Sequence, residues 1–201
     1  MKILIPPSEG KAKVKPGITL FSETNFRYDR EVKQVVRLLE LIDDEDLASV
    51  YGTSAKKALM FHRQNQDIFN SRCAPAIERY TGVVYEHISW PTLSEKAKDY
   101  MEKYIYIFSG LFGLLTPKTP IPDYKLKMNV LSLQHHWNPI LTETLKDEKV
   151  IVDLLPQVHR KAYTPNKENV IPVDFQITNK GKKSAAGHFG KAVKGEFIRY
   201  V

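Results

Sequence analysis

The sequence predicts a mixed α/β fold: one compact domain in which a mixed central sheet is flanked by helices. Three observations carry this expectation. Short, apolar, β-rich runs interleave with longer segments of helical spacing. The 201 residues, 42% hydrophobic and 26% charged, have the size and composition of one globular unit with a sizeable core. No internal repeat, low-complexity tract or composition break divides residues 1–201.

The elements follow in order. KILI, at Lys2–Ile5, reads as a short buried strand stopped by Pro6-Pro7. SEGKAKVKPG is a polar loop carrying Lys11, Lys13 and Lys15. In REVKQVVRLLELI, Val32, Val35, Val36, Leu39 and Ile42 fall at the spacing of an amphipathic helix. DDEDLASVYG predicts a short helix with an acidic first turn and a stop at Gly52. TSAKKALMFHRQNQDIF predicts another, capped by Thr53 or Ser54, and Ala76 to Tyr80 a further short one. YTGVVYEHI is rich in β-formers, which predicts a strand at Val83–Tyr85. Thr92 and Glu95 stand in capping-box relation, so a helix is expected up to Tyr104. IYIF is a buried strand, and LQHHWNPILTETLK a helix with its proline inside or at the start. KVIVDLL is the strongest buried-strand pattern in the chain. VIPVDFQI alternates, and Pro172 cannot donate to a ladder, so it reads as an edge strand. KAVKGEFIRYV closes the chain as a turn followed by a strand.

Several function classes fall away. No apolar run approaches the ~20 residues of a membrane helix. MKILIPPSEGK has too few apolar residues before Pro6-Pro7 for a signal-peptide core. Cys73, alone, forms no internal disulfide. A cytoplasmic address with no membrane partner follows by elimination, and a monomer is also expected. The histidines are His62, His87, His135, His136, His159 and His188. On a helix the adjacent His135 and His136 point about 100° apart, and neither HExxH nor CxxC occurs. No metal site and no other cofactor is expected. No G-x-S-x-G elbow supports a serine triad.

The charge points to an anionic partner. The chain carries a net +7. From Pro156 to Val201, nine Lys/Arg stand against three acids, an excess of six. Charge alone does not separate nucleic acid from nucleotides or from a solvated basic tail.

Two loops follow predicted strands, where ligands of open α/β sheets bind. In FSGLFGLLTP, Ser109 and Gly110 leave a strand; a glycine lets backbone N–H approach an anion, and Ser109 adds a hydroxyl. The structural alternative is a turn whose glycines relieve crowding. In PPSEGK, Ser8, Gly10 and Lys11 are residue types that hold phosphate, though not in Walker order. In DYKLKM, Lys125 and Lys127 would share one face of a strand beside Tyr124. GHFGKAVKGEFIRYV interleaves Gly187, Gly190 and Gly195 with Lys191, Lys194 and Arg199, a pattern suited to a phosphate backbone or to a turn before a core strand. Asp153, ending VIVD, is a candidate general base or ribose ligand, with His159 six residues on.

These segments resemble the YaaA peroxide-stress protein family. IFSGLFGLLTP and DYKLKM are similar to the family's Ser-Gly-Leu-Tyr-Gly, Leu-Arg-Pro and Pro-Tyr-Arg-Leu-Glu-Met blocks. ILIPPSEGK resembles its N-terminal Ile-Ser-Pro-Ala-Lys stretch. Trp137, VIVDLL, Tyr163 and KAVKGEFIRYV match further blocks in order. Thr116, Lys125 and Lys127 depart from it, standing where Arg, Arg and Glu are usual. The resemblance implies protection against hydrogen peroxide by limiting free intracellular iron. It also implies a mixed α/β fold with a basic cleft, and binding of double-stranded DNA without strong sequence preference. Carried over by position, the cleft would hold Lys11, Lys125, Lys191, Lys194 and Arg199, with Ser109 and Tyr124 nearby. The alternative is an enzyme acting on a nucleotide or nucleic-acid component, with Ser109, Tyr124 and Asp153 as catalytic candidates. A long open groove would favour the polymer; a closed pocket would favour a small molecule.

Overall fold

The computed structural model describes residues 1–179, 182–185 and 187–201; Lys180, part of the basic C-terminal excess, lies outside them. Strand β1 (Lys2–Ile5) is followed by helices α1 (Asp29–Glu40), α2 (Leu47–Tyr51) and α3 (Ala55–Gln66), then the short strand β2 (Ala74–Pro75). Helices α4 (Ala76–Arg79), α5 (Val83–Ile88) and α6 (Glu95–Tyr104) lead into β3 (Ile105–Ser109), β4 (Gly113–Leu115) and β5 (Pro120–Ile121). Then come α7 (Leu133–Leu145), β6 (Ile151–Asp153), α8 (Gln157–Arg160) and β7 (Val170–Pro172). A hairpin of β8 (Gln176–Asn179) and β9 (Lys182–Ala185) precedes α9 (Gly187–Tyr200).

The main sheet has five strands in the order β4-β3-β1-β6-β7. β3, β1, β6 and β7 run parallel, and β4 pairs antiparallel with β3. β1 is central, and Leu4 and Ile5 are fully buried, as a strand covered on both faces requires. From β1 the chain reaches β3 on one side; from β6 it reaches β7 on the other. The adjacent carboxyl ends of β1 and β6 thus flank a topological switch point, the usual ligand crevice of such sheets.

The helices form where apolar spacing and caps coincide. Val32, Val35, Val36 and Leu39 form the buried stripe of α1. Gly52 ends α2 in the left-handed conformation at φ 60°. Ser54 is the N-cap residue of α3. Pro139 sits inside α7.

Four expectations are corrected. Val83–Tyr85 is not a strand; it opens α5, burying Val84, Tyr85 and Ile88. The C-terminal segment is not a turn and strand but the helix α9. These two departures share one cause, because α5 and α9 pack on each other. A Cβ on Gly195 would lie 2.4 Å from the Val84 carbonyl oxygen and 2.6 Å from His87 Cβ. Gly195 therefore permits close helix contact instead of making a turn, and the packing overrides the β preference of Val83-Val84-Tyr85. The cap of α6 is Ser94, not Thr92; its side chain accepts from Ala97 N–H at 3.2 Å. VIPVDFQI is divided: Val170–Pro172 forms the sheet edge as β7, and Gln176 starts the separate hairpin.

Candidate functional site

Three segments meet at the carboxyl edge of β1 and β6: the loop after β1, residues 124–129, and α8. They enclose a cavity of about 100 Å³, walled by Ser8, Glu9, Lys11, Lys125, Lys127 and His159 among others.

The segment Tyr124–Met128 supplies two of the lysines. It forms no strand, yet burial alternates along it: Tyr124, Leu126 and Met128 point inward, and Lys125 and Lys127 lie between them. Two anchors fix it. The fully buried Asn65 side chain donates to Lys125 O at 2.7 Å and accepts from Lys125 N at 3.2 Å. Gly110 lets the segment run directly against the end of β3, since a Cβ there would stand 2.8 Å from Leu126 O and from the Lys127 carbonyl carbon. Gly113, at φ 70°, makes room for Trp137, whose Nε1 donates to Gly110 O at 2.9 Å. The break at Ser109-Gly110 is thus a packing device that positions the lysine segment.

Beneath the lysines lies a buried chain of hydroxyls. Ser109 is fully buried; its Oγ accepts from Phe112 N–H at 3.0 Å and pairs with Tyr124 Oη at 2.7 Å. Tyr124 Oη pairs in turn with Tyr80 Oη at 2.7 Å. Burial pushes Tyr124 up to about 12 and Tyr80 well above the usual tyrosine range, so both stay neutral. Their rings form the seat of Lys11, whose Nζ stands 4.1 Å from the Tyr124 centroid and 5.3 Å from that of Tyr80. The ring faces favour its charged form. Lys11 Nζ also donates to Ser8 O at 3.2 Å. Burial pushes the Lys11 ammonium down to about 7, against the pull of Asp123.

Glu9 is the carboxylate of this wall. Its Oε2 stands 3.1 Å from Lys125 Nζ and its Oε1 3.3 Å from Lys127 Nζ. Burial raises its pKa, but the two ammonium groups outweigh that and hold it below the usual range.

Lys194 reaches the same edge from α9, donating to Leu154 O at 2.5 Å, just beyond β6. Burial lowers its pKa. His159 stands next to it with a buried Nδ1 that has no hydrogen-bond partner among the described residues. Burial, then the Lys194 charge, pushes His159 down to about 4. Lys191 is exposed one turn before Lys194 on α9.

Two candidates serve other ends. Asp153 is buried, and its carboxylate accepts from Leu155 N at 2.7 Å and from Tyr163 Oη at 2.7 Å, with Arg160 Nε at 3.3 Å. It ties the turn after β6 together. Arg199 donates to Ile88 O at 2.8 Å and to Ser89 O at 3.3 Å, closing the end of α5. Its surroundings are a second cavity, with Tyr100, Met101 and Ile105, apart from the lysine pocket. The structure therefore gathers Lys11, Lys125 and Lys194 at one edge, with Lys191 beside them, and leaves Arg199 out. It adds Glu9, Asn65 and Tyr80, which sequence patterns had not singled out. A larger cavity of about 390 Å³ lies beside β4, lined by Tyr106, Glu102 and Lys118, and holds none of the candidates.

Among the described residues, no three His, Cys, Asp or Glu side chains gather as a metal cluster, and no helix is long and apolar enough to cross a membrane. The pocket's chemistry is that of lysine donors on a preset backbone, suited to an oxyanion.

Fold and pocket together define an α/β protein with a lysine-walled pocket at the switch point of its sheet. The profile of the family described as Peroxide stress protein YaaA matches residues 1–201. The chain belongs to that family. It is similar to UPF0246 protein SCO2297 of Streptomyces coelicolor, 29% identical over 215 residues, covering 99% of this chain and 82% of the relative. It is also similar to UPF0246 protein LBA1843 of Lactobacillus acidophilus, 25% identical over 214 residues, covering 100% of this chain and 83% of the relative.

Proposed function

We propose that this peroxide-stress family member binds double-stranded DNA without strong sequence preference through the lysines at the carboxyl edge of its sheet, and that it limits free intracellular iron indirectly. One observation carries the DNA reading: Lys11, Lys125, Lys127 and Lys194 reach one edge from three separate parts of the chain, with Lys191 exposed beside them. Phosphate contacts of this kind act through charge and release counterions, so affinity falls steeply with salt. The protein acts as a cytoplasmic monomer in this reading.

The test is anisotropy of a labelled duplex across a salt series. Lys125→Ala/Lys191→Ala is expected to weaken binding and to shallow the slope of log K against log salt by about two, roughly one for each phosphate no longer neutralised. A folded wild-type protein that binds no duplex at low salt would sink the reading.

The small size of the pocket favours a second reading, an enzyme acting on a nucleotide. A cavity of about 100 Å³ accepts a single small group, not a duplex. Lys11, held near neutrality, is the group to test there. Lys11→Met would abolish turnover of a nucleotide substrate, and unchanged turnover in a folded Lys11→Met would sink this reading.

A further inference from the structure

We propose that the pocket between the β1 loop and Tyr124–Met128 is a receptor for a phosphomonoester dianion, and that the Glu9 carboxylate holds the place of that group until it is displaced. The inference rests on the basic-edge reading and deepens it, by naming which phosphate the edge takes.

The geometry supplies the reasons. One carboxylate spans two ammonium groups, one oxygen to each, at 3.1 Å and 3.3 Å. The O–X–O span of a phosphate is close to that of a carboxylate, so the same two lysines can receive it. The lysines are built in place: Asn65 bonds both the N–H and the carbonyl of Lys125, and the Lys127 backbone packs closely against Gly110. Glu9 is not built in to the same degree. Its side chain is 66% exposed, and exposed ion pairs hold weakly. It can leave without disturbing the core.

The count of donors selects the ligand. Lys125 and Lys127 take two oxygens, while Lys11 and Ser8 line the same cavity and leave partners for a third. A phosphomonoester has three terminal oxygens and up to two charges; an internal phosphodiester has two and one. With Glu9 displaced, no other carboxylate among the described residues remains in the wall. The incoming dianion also restores a counter-charge to Lys11, which burial otherwise penalises. A cavity of about 100 Å³ suits one phosphate head, so DNA would enter it by a terminal phosphate.

The experiment uses the full chain and four probes: inorganic phosphate, adenosine 5′-monophosphate, and one duplex with either 5′-phosphate or 5′-hydroxyl ends. Calorimetry follows the small probes, and anisotropy the duplexes. One phosphate or nucleotide is expected per chain. Glu9→Gln should tighten both about tenfold, because two exposed ion pairs no longer compete. Lys125→Met/Lys127→Met should lose both; the bonds from Asn65 to the Lys125 backbone survive that change, and an unchanged urea midpoint confirms the fold. Equal affinity for the two small probes identifies free phosphate as the source, and tighter binding of the nucleotide and the 5′-phosphate duplex identifies a nucleic-acid end. Two results overturn the proposal: no phosphomonoester binding by wild type or Glu9→Gln, or Glu9→Gln leaving affinity unchanged. Binding of the 5′-hydroxyl duplex without any phosphomonoester binding would overturn it while keeping the DNA reading. Phosphomonoester binding with no duplex binding would keep the pocket and sink the DNA reading.

Discussion

His159 shows how burial and charge act together on one residue. It closes the pocket on the α8 side, with Lys194 beside it and a buried Nδ1 left without a partner among the described residues. Both influences disfavour the imidazolium, and its pKa falls from 6.5 to about 4. The unfolded chain therefore binds a proton between these values and the folded chain does not. Stability falls as pH drops through that window, levels off below it, and is unaffected by this residue above pH 6.5. Urea midpoints from pH 7 to pH 4 should decline in the wild type and decline less in His159→Asn. Equal slopes in the two proteins would place the titration elsewhere. His159 was visible in the sequence only as a partner for Asp153. The structure gives Asp153 to Tyr163, Leu155 N–H and Arg160, and turns His159 toward the lysines instead.

At the scale of elements, local patterns succeeded where an element's own residues decide its form. β1, β3, β6 and the helices α1, α3 and α7 follow apolar runs and periodicity. They failed at α5 and α9, where the deciding contact lies about a hundred residues away in sequence. Gly195 read as a turn because glycine is costly inside a helix, by about 1 kcal/mol against alanine. That cost is outweighed by the approach it allows. A Cβ at 2.4 Å from the Val84 carbonyl oxygen meets backbone that cannot swing aside. Gly195→Ala gains helix propensity yet should destabilise by about 2 kcal/mol through overpacking. Thermal unfolding decides the sign, and a stabilised variant would show that the two helices shift apart freely. The same logic governs the site. Lys125 and Lys127 were legible as a pair sharing a face, because alternation survives without a ladder. Asn65, 60 residues from Lys125, and Glu9, 116 residues from it, were not, because nothing local marks either pairing.

Across the whole molecule, the C-terminal helix joins the charge excess to the sheet. α9 lies on α5 through Gly195, buries Ile198, and sends Arg199 to the carbonyls of Ile88 and Ser89. From the same helix Lys194 reaches the carbonyl of Leu154 at the end of β6. The basic tail expected from composition is therefore in part a structural layer, with Lys194 of α9 held at the sheet edge. Removing residues 187–201 tests this directly. Burial of Ile198 alone is worth about 2–5 kcal/mol against alanine, and Ile88, fully buried, loses cover at the same time. Whole domains are stable by only about 5–15 kcal/mol, so the loss is comparable with the total. The shortened chain is expected to melt at much lower urea, with a broad transition and increased binding of a hydrophobic dye. If its midpoint matched that of the full chain, α9 would be an independent appendage. Lys194 would then hold its place at the sheet edge without contributing to stability, and the site would have to be rebuilt from β1 and Tyr124–Met128 alone.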